Sequence, residues 1–406
     1  MELSTLSFIA GIVFILVLMN LLFAFTKSQE KVKYWVGLII LLFVVVVTSW
    51  WTKNLAWQWV LIEATTLFGA LLISMSRNEK SIDVAWKFLL LNSFGLSLAF
   101  IGIIILSFGI HSQVTTNADD ILSHISSHQN RLVETGMWLA IFGYSAKLGL
   151  FPNHFWVSDT YAESPSQISS LVSCLFPATI AIALRAFVKM DYQFTDLHFS
   201  SSSGLLILGI VTMFYSLWTL NQTNDIRRIT AQIAVFHSGA LAVFIFLNPP
   251  DEIFYYALSS SVTVKALLFS AMGIFRIDAG TRNLKDIDPS LGLNKTSTFL
   301  YIFSVAMAFV IPFSPFFVGD LLLIKVGFMA EKFWILLVPL LGLVFFLVAI
   351  NKLLPLFQVK AREFSDQHQK ILRVRLLLTF LLLGVALCVG VYGVYNLSNG
   401  GFFNVL

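Results

Sequence analysis

Two charged residues stand in the middle of long apolar runs: Glu63 in LAWQWVLIEATTLFGALLISM and Lys147 in GMWLAIFGYSAKLGLFPNHFW. A charge near the bilayer centre costs at least about 2.5–3.5 kcal/mol, so it persists where it pairs or lines a path for ions. Further polar groups sit in similar runs: His237 in AQIAVFHSGALAVF, Lys265 in YALSSSVTVKALLFSAMG, Asp320 in SPFFVGDLLLIK and Lys352 in LVAINKLLPLF. Glu63, Lys147 and Lys265 are too deep for snorkelling and must face protein or water. Lys352, Arg185 and Lys325 read as snorkelling side chains near helix ends. Six such groups strung along one chain suggest a path more than a single pocket. Burial and a nearby carboxylate act in opposite senses on a lysine's charge, so a Glu–Lys pair loads or releases a proton as its spacing changes.

The elements that position these groups follow from composition. Of 406 residues, 57% are hydrophobic and 12% charged, about half the charged share of a soluble domain. Apolar runs of some twenty residues alternate with short polar loops, which predicts an all-α polytopic membrane protein of about twelve transmembrane helices. Met1 to Phe25 lacks a basic start and reads as a first span, without a cleavable signal. Lysines and arginines concentrate in alternate loops: Lys27 to Lys33, Arg77 and Lys80, Arg227 and Arg228, Arg276 to Lys295, and Lys360 to Arg375. The positive-inside rule makes those loops cytoplasmic, and an even span count then puts both termini on the other side. The net charge of +4 is spread over loops, so no nucleic-acid partner is expected.

Two spans are predicted to break. Pro152 cuts the fifth, Glu134–Val157, and Pro312 with Pro315 cuts the tenth, Ser297–Gly327. Inside a membrane, such breaks survive against protein or a wet cavity. Each has an ionisable neighbour, Lys147 before Pro152 and Asp320 after Pro315, and similar breaks in two halves mark an internal repeat.

Other chemistries find little support. The hydrophilic stretch from His111 to Arg131 holds His111, His124 and His128 but no carboxylate or cysteine spacing that completes a ligand set. It reads as an amphipathic surface segment, and no metal is expected. Cys174 and Cys388 lie in separate apolar segments, which excludes iron–sulfur ligation by this chain. There is no nucleophile–base arrangement or phosphate loop, so no catalytic residue and no cofactor is expected.

The polar residues also carry a resemblance. WVLIEATTL, DVAWKFLLL, FGYSAKLGLFPNHFWVSDTYAESPSQISSLVS, NDIRRITAQIAVFHSG, VKALLFSAMG and PFSPFFVGDLLLIK occur in order from about Trp57 to Lys325. Together they resemble the antiporter-like membrane subunits of respiratory complex I, Mrp-type antiporters and energy-converting hydrogenases. The IEATTL and AWK wording is most similar to the hydrogenase 4 component F (formate hydrogenlyase) branch. The K-x-G-x-x-P-x-H-x-W motif, from Lys147 to Trp156, with its D-x-x-x-E-x-P-S tail, is highly specific.

The resemblance implies two inverted five-helix repeats, each with one broken helix. They would occupy residues 34–200 and 201–360, flanked by an N-terminal helix in 1–33 and a C-terminal helix in 361–406. It implies a proton path through Glu63, its partner Lys147, His237, Lys265 and Asp320, with His154 and Lys352 as secondary candidates. The work implied is translocation of protons, or of sodium, within a multi-subunit redox-driven complex in a bacterial cytoplasmic (inner) membrane. Partners would be other membrane subunits, the lipid bilayer and a peripheral redox or soluble protein, and any oxidoreductase activity would belong to the whole complex. A second reading is an energising or scaffold subunit of a proton-gradient-driven inorganic-carbon uptake system or of an Mrp-type antiporter.

Three departures from the family pattern bear on these readings. The chain is read as lacking two N-terminal helices. Ala257, Ser260 and Ser261 stand near Lys265 where relatives carry histidines, which makes that relay wetter or weaker. SSLVSCLFPATIAIAL has no lysine in its apolar body.

Overall fold

A computed structural model describes residues 1–24, 29–76, 78–110, 115–125, 130–193, 200–287, 292–359 and 366–399. His111, His128, Lys27, Arg77, Lys360 and Arg362 lie outside the described residues.

The described chain is helical, as a bilayer demands of any segment that must satisfy its own backbone groups. The helices are α1 (Leu3–Ala24), α2 (Gln29–Trp51), α3 (Leu55–Ile73), α4 (Glu79–Gly109) and α5 (Ala118–His124). Then follow α6 (Arg131–Leu148), α7 (Phe155–Glu163), α8 (Ser166–Asp191), α9 (Ser201–Gln222) and α10 (Ile226–Phe246). The last are α11 (Asp251–Ala279), α12 (Lys295–Met307), α13 (Pro315–Met329), α14 (Leu337–Leu353) and α15 (Asp366–Ser398). Ten segments are long and apolar enough to cross a membrane. The pairs α6/α7 and α12/α13 make the remaining two crossings, broken where the prolines predict.

Polar loop residues set the helix starts. Asn54, Asn78, Asn130, Asp225, Asn294 and Ser314 each accept a hydrogen bond from a free first-turn N–H. The inverted repeat is visible in two of these caps. Asn54, capping α3, forms an isolated antiparallel bridge with Asn117, and Asp225, capping α10, does the same with Asn283. One bridge lies on the face carrying the basic loops and the other on the opposite face, as inversion requires. The bridge at Asn117 also pins α5, which buries Ile121 and exposes Asp120.

The centre is α8, α10 and α11, buried almost all round, while α2 and α14 turn most of their surface outward. Phe8, Phe94, Leu340 and Leu377 belong to that outward apolar belt. α4 and α6 meet backbone to backbone through glycine. A Cβ at Gly102 would lie 2.6 Å from the Gly136 carbonyl oxygen, and one at Gly136 would lie 2.8 Å from that of Gly102.

Candidate functional site

At the first break, α6 ends in its last turn with Lys147 and a left-handed Gly149 (φ 80°). A side chain there would strike Val157, so glycine is needed on both counts. Lys147 is 1% exposed and donates three hydrogen bonds into α3: to the Ile62 carbonyl at 2.7 Å, Thr65 Oγ1 at 2.8 Å and Thr66 Oγ1 at 2.6 Å. Residues 62, 65 and 66 are one helical face, so α3 offers the ammonium a ready-made cradle. Glu63 is the neighbour and not the direct ligand. Its Oε1 accepts from Ser93 of α4 at 2.6 Å, and its buried Oε2 has no hydrogen-bond partner among the described residues. Glu63 remains within electrostatic reach of Lys147.

α8 separates this pair from the second lysine. Phe176 presents its ring 5.4 Å from Lys147 Nζ, and Cys174, two residues earlier and on the other side of the helix, lies within electrostatic reach of Lys265. Lys265, on α11, is 1% exposed, and its Nζ has no hydrogen-bond partner among the described residues. Ser170 of α8 donates to the Ala266 carbonyl beside it at 3.0 Å. Lys147 is thus held by three acceptors, whereas Lys265 is held by none among the described residues.

At the second break, α12 closes on Ala308, Phe313 takes a positive φ of 68°, and Ser314 caps α13 with Pro315 in its first turn. His237 of α10 faces this break. Its Nδ1 lies 2.8 Å from the Ile233 carbonyl and its Nε2 lies 2.9 Å from that of Ala308. Carbonyls only accept, so both contacts are hydrogen bonds only when both nitrogens carry protons. A neutral ring keeps one contact and gives up the other. Below His237, a cavity of about 50 Å³ is lined by Ser260, Ser261, Phe316 and Asp320. One water needs roughly 10–15 Å³, so a few waters fit, and the buried, unpartnered Ser261 hydroxyl offers them a bond.

A larger cavity of about 380 Å³ lies between α7, α9 and α10 on the basic-loop face. Its walls include Asp159, Arg228 and Gln232, and its lining includes His154 at the first break. The His154 ring lies against Tyr215 with centroids 3.9 Å apart, is 4% exposed, and has no partner for either ring nitrogen among the described residues. Gln232 and His237 stand five residues apart on α10, which therefore lines both cavities.

Arginines fix the position of α7. Arg227 donates to the Ser164 carbonyl, Arg228 pairs with Asp159 at 3.0 Å, and Arg282 pairs with Glu163 at 2.8 Å and Asp225 at 3.4 Å. Burial alone would raise the Glu163 carboxyl. The hydrogen bond and charge of Arg282, with Arg227 and Lys80 behind, instead hold it below its ordinary 4.5. The same bond raises Arg282.

The sequence-predicted residues therefore form two clusters and a link. Glu63 and Lys147 lie at one break, His237 and Asp320 at the other, and Lys265 between α8 and α11. Lys352 falls elsewhere: its Nζ donates to the carbonyls of Leu220 (2.9 Å), Asn221 (2.9 Å) and Thr223 (2.5 Å), completing the C-terminal end of α9. Neither it nor Arg185 snorkels freely. Arg185 is buried and bonds the Pro249 carbonyl and Asp251, both at 2.6 Å. Thr65, Thr66, Ser93, Tyr215 and Gln232 were not singled out from sequence. The threonines had a signal, two hydroxyls on the face of α3 one turn below Ile62. Ser93 and Tyr215 had none, because their neighbours are fixed by helix packing.

A sequence profile described as NADH:quinone oxidoreductase/Mrp antiporter, TM, matches residues 52–347. Hydrogenase-4 component F homolog of Methylacidiphilum infernorum (isolate V4) is 25% identical over 68% of this chain and 60% of its own length. NADH-quinone oxidoreductase subunit N of Leptospira interrogans is 27% identical over 63% of this chain and 50% of its own. The chain thus spans about half to three fifths of these relatives. Among solved structures, a chain of the membrane-bound sulfane sulfur reductase, an archaeal respiratory membrane complex, superposes with a TM-score of 0.77 at 19% identity. That match covers 97% of this chain and 81% of the other. A chain of respiratory complex I from Thermus thermophilus gives 0.70 at 17% identity, covering 95% and 85%.

Proposed function

Because this chain belongs to the NADH:quinone oxidoreductase/Mrp antiporter membrane family, we propose that it translocates protons as one membrane subunit of a multi-subunit redox-driven complex. The observation that carries the reading is the pair of cavities that share α10 as a wall, one reaching the first broken helix and the other the second. Each is lined by a histidine beside a broken helix, His154 in one and His237 in the other. Two half-channels joined by titratable groups let protons cross while an open pore is never present.

Protons enter the vestibule by Asp159 and Arg228 and reach His154. The pair of Lys147 and Glu63 gates the first half, because a lysine freed from Thr65 and Thr66 moves its charge relative to the carboxylate. Lys265 receives the proton across α8, and His237 passes it to Asp320 and the second cavity. The repeats would be residues 34–200 and 201–360. The vestibule faces the cytoplasm by the positive-inside rule, with both termini on the other side of a bacterial inner membrane. Lysine and histidine carry protons, whereas a hard cation such as sodium favours oxygen ligands, so the proton is the favoured ion.

The test is proton uptake into proteoliposomes holding the assembled complex, followed with a pH-sensitive dye during turnover of its electron-transfer partner. Lys147→Ala and His237→Gln should each abolish uptake while electron transfer persists or slows. Full uptake in both variants would remove the reading. The partners that co-purify in mild detergent identify the complex.

A further inference from the structure

On the basic-loop face, three features converge away from the proton path. α8 starts at Ser166 after Pro165, with no side chain capping its first turn and no acidic residue in it. Its first N–H groups and the positive end of its dipole are therefore available to an anion. Arg375 of α15, 5% exposed, spends Nε on Asn20 Oδ1 at 3.0 Å, and its buried Nη2 has no hydrogen-bond partner among the described residues. Gln167, in the first turn of α8, donates to that same Asn20 oxygen at 3.3 Å, which places Arg375 beside the start of α8.

Arg276 supplies the third side. It lies one turn beyond Gly273 on α11, where a side chain would strike Ser166. Arg276 has no ion pair among the described residues and acts on Arg375 as a like charge. Among the described residues, the carboxylates nearby are already engaged. Glu163 and Asp225 are both held by Arg282, and Asp278 accepts from Ser297 and from the Asn294 N–H. Two guanidinium groups and an uncapped helix start repel one another unless an anion sits among them. Leaving a buried guanidinium unpaired is costly, and two arginine forks match a tetrahedral oxyanion.

We propose that Arg276, Arg375 and the N-terminus of α8 form a phosphate site that holds the headgroup of an anionic phospholipid. A lipid is favoured over a free ion because α1 and α15, which carry Asn20 and Arg375, also carry part of the outward apolar belt. Leu22 and Phe23 of α1 and Leu377 of α15 are exposed within two or three residues of Asn20 and Arg375, where acyl chains of a bound lipid would lie. Basic crevices between helices on the cytoplasmic side are suited to such headgroups.

The test uses the full chain, delipidated in mild detergent. Thermal unfolding and native mass spectrometry follow addition of phosphatidylglycerol, phosphatidylcholine or sodium phosphate. Phosphatidylglycerol should raise the unfolding midpoint by several degrees and give a retained one-lipid adduct. Sodium phosphate should give a smaller rise, and phosphatidylcholine none. Arg276→Gln, at a half-buried position, should remove most of the rise and the adduct. Arg375→Gln should do the same if it folds. A rise unchanged in Arg276→Gln, or equal for phosphatidylcholine, overturns the proposal. So does a full rise with sodium phosphate alone, or a carboxylate of another subunit found on both arginines in the assembled complex.

Discussion

Lys147 reaches past Glu63 to the residue before it. Its ammonium bonds the Ile62 carbonyl at 2.7 Å, while the Glu63 carboxylate turns to Ser93 at 2.6 Å. The two charges are neighbours with separate ligands, so either can change state without the other losing all its bonds. That is the arrangement a gate needs. A closed ion pair would have to be pulled apart at each cycle.

The cradle can be tested directly. Thr65→Val with Thr66→Val removes two charge-assisted bonds, each contributing about 1.5–3 kcal/mol, and loss of even one corresponds to roughly a tenfold change in rate. Proton translocation in proteoliposomes should fall by at least about tenfold. Serine at both positions keeps the hydroxyls and should restore most of the rate.

Ser93→Ala leaves a buried carboxylate oxygen without its donor, at a cost of about 1–3 kcal/mol. Translocation should fall, and the pH profile of the rate should move relative to wild type. A lower rate with an unmoved profile would assign Ser93 to packing alone.

How much of this was legible in the sequence varied with the kind of fact. Depth within an apolar run identified Glu63, Lys147 and Lys265, because the cost of a buried charge is a property of the run itself. Proline located both breaks, because its missing N–H acts locally. The ligands of Lys147 were not legible. Which atoms a lysine meets depends on how α6 is rotated against α3, and no local pattern encodes that rotation. The partners of Lys352 were not legible for the same reason. Its role as a cap on α9 rests on α14 lying beside Thr223, some 130 residues earlier in the chain.

Lys352→Met therefore separates structure from transport. It uncaps three carbonyls at the end of α9 and should lower stability by about 1–2 kcal/mol, read as a lower unfolding midpoint in detergent. Proton translocation per folded complex should stay near wild type. A selective loss of transport would return Lys352 to the path.

Acid dependence follows from Glu163. Its folded carboxyl titrates below the ordinary 4.5, so the contribution of the Arg282 pair is fully present above that pH. It disappears as pH falls from there through the folded value, where the carboxylate takes up a proton. Unfolding followed between neutral pH and pH 3 should show a loss of stability below about pH 4.5. Glu163→Gln should be less stable at neutral pH and should lack that part of the acid dependence.

The glycine seam between α4 and α6 limits what kind of machine this is. With a Cβ at Gly102 falling 2.6 Å from the Gly136 oxygen, neither helix can slide along the other without a collision. Trp59 of α3 is tied to the same block by its bond to the Leu96 carbonyl at 2.6 Å. Ser93, Glu63 and the root of Lys147 thus ride on one stiff housing. In the proposed gate the moving part is therefore a single lysine arm, swinging about its own Cα, and its length sets the stroke.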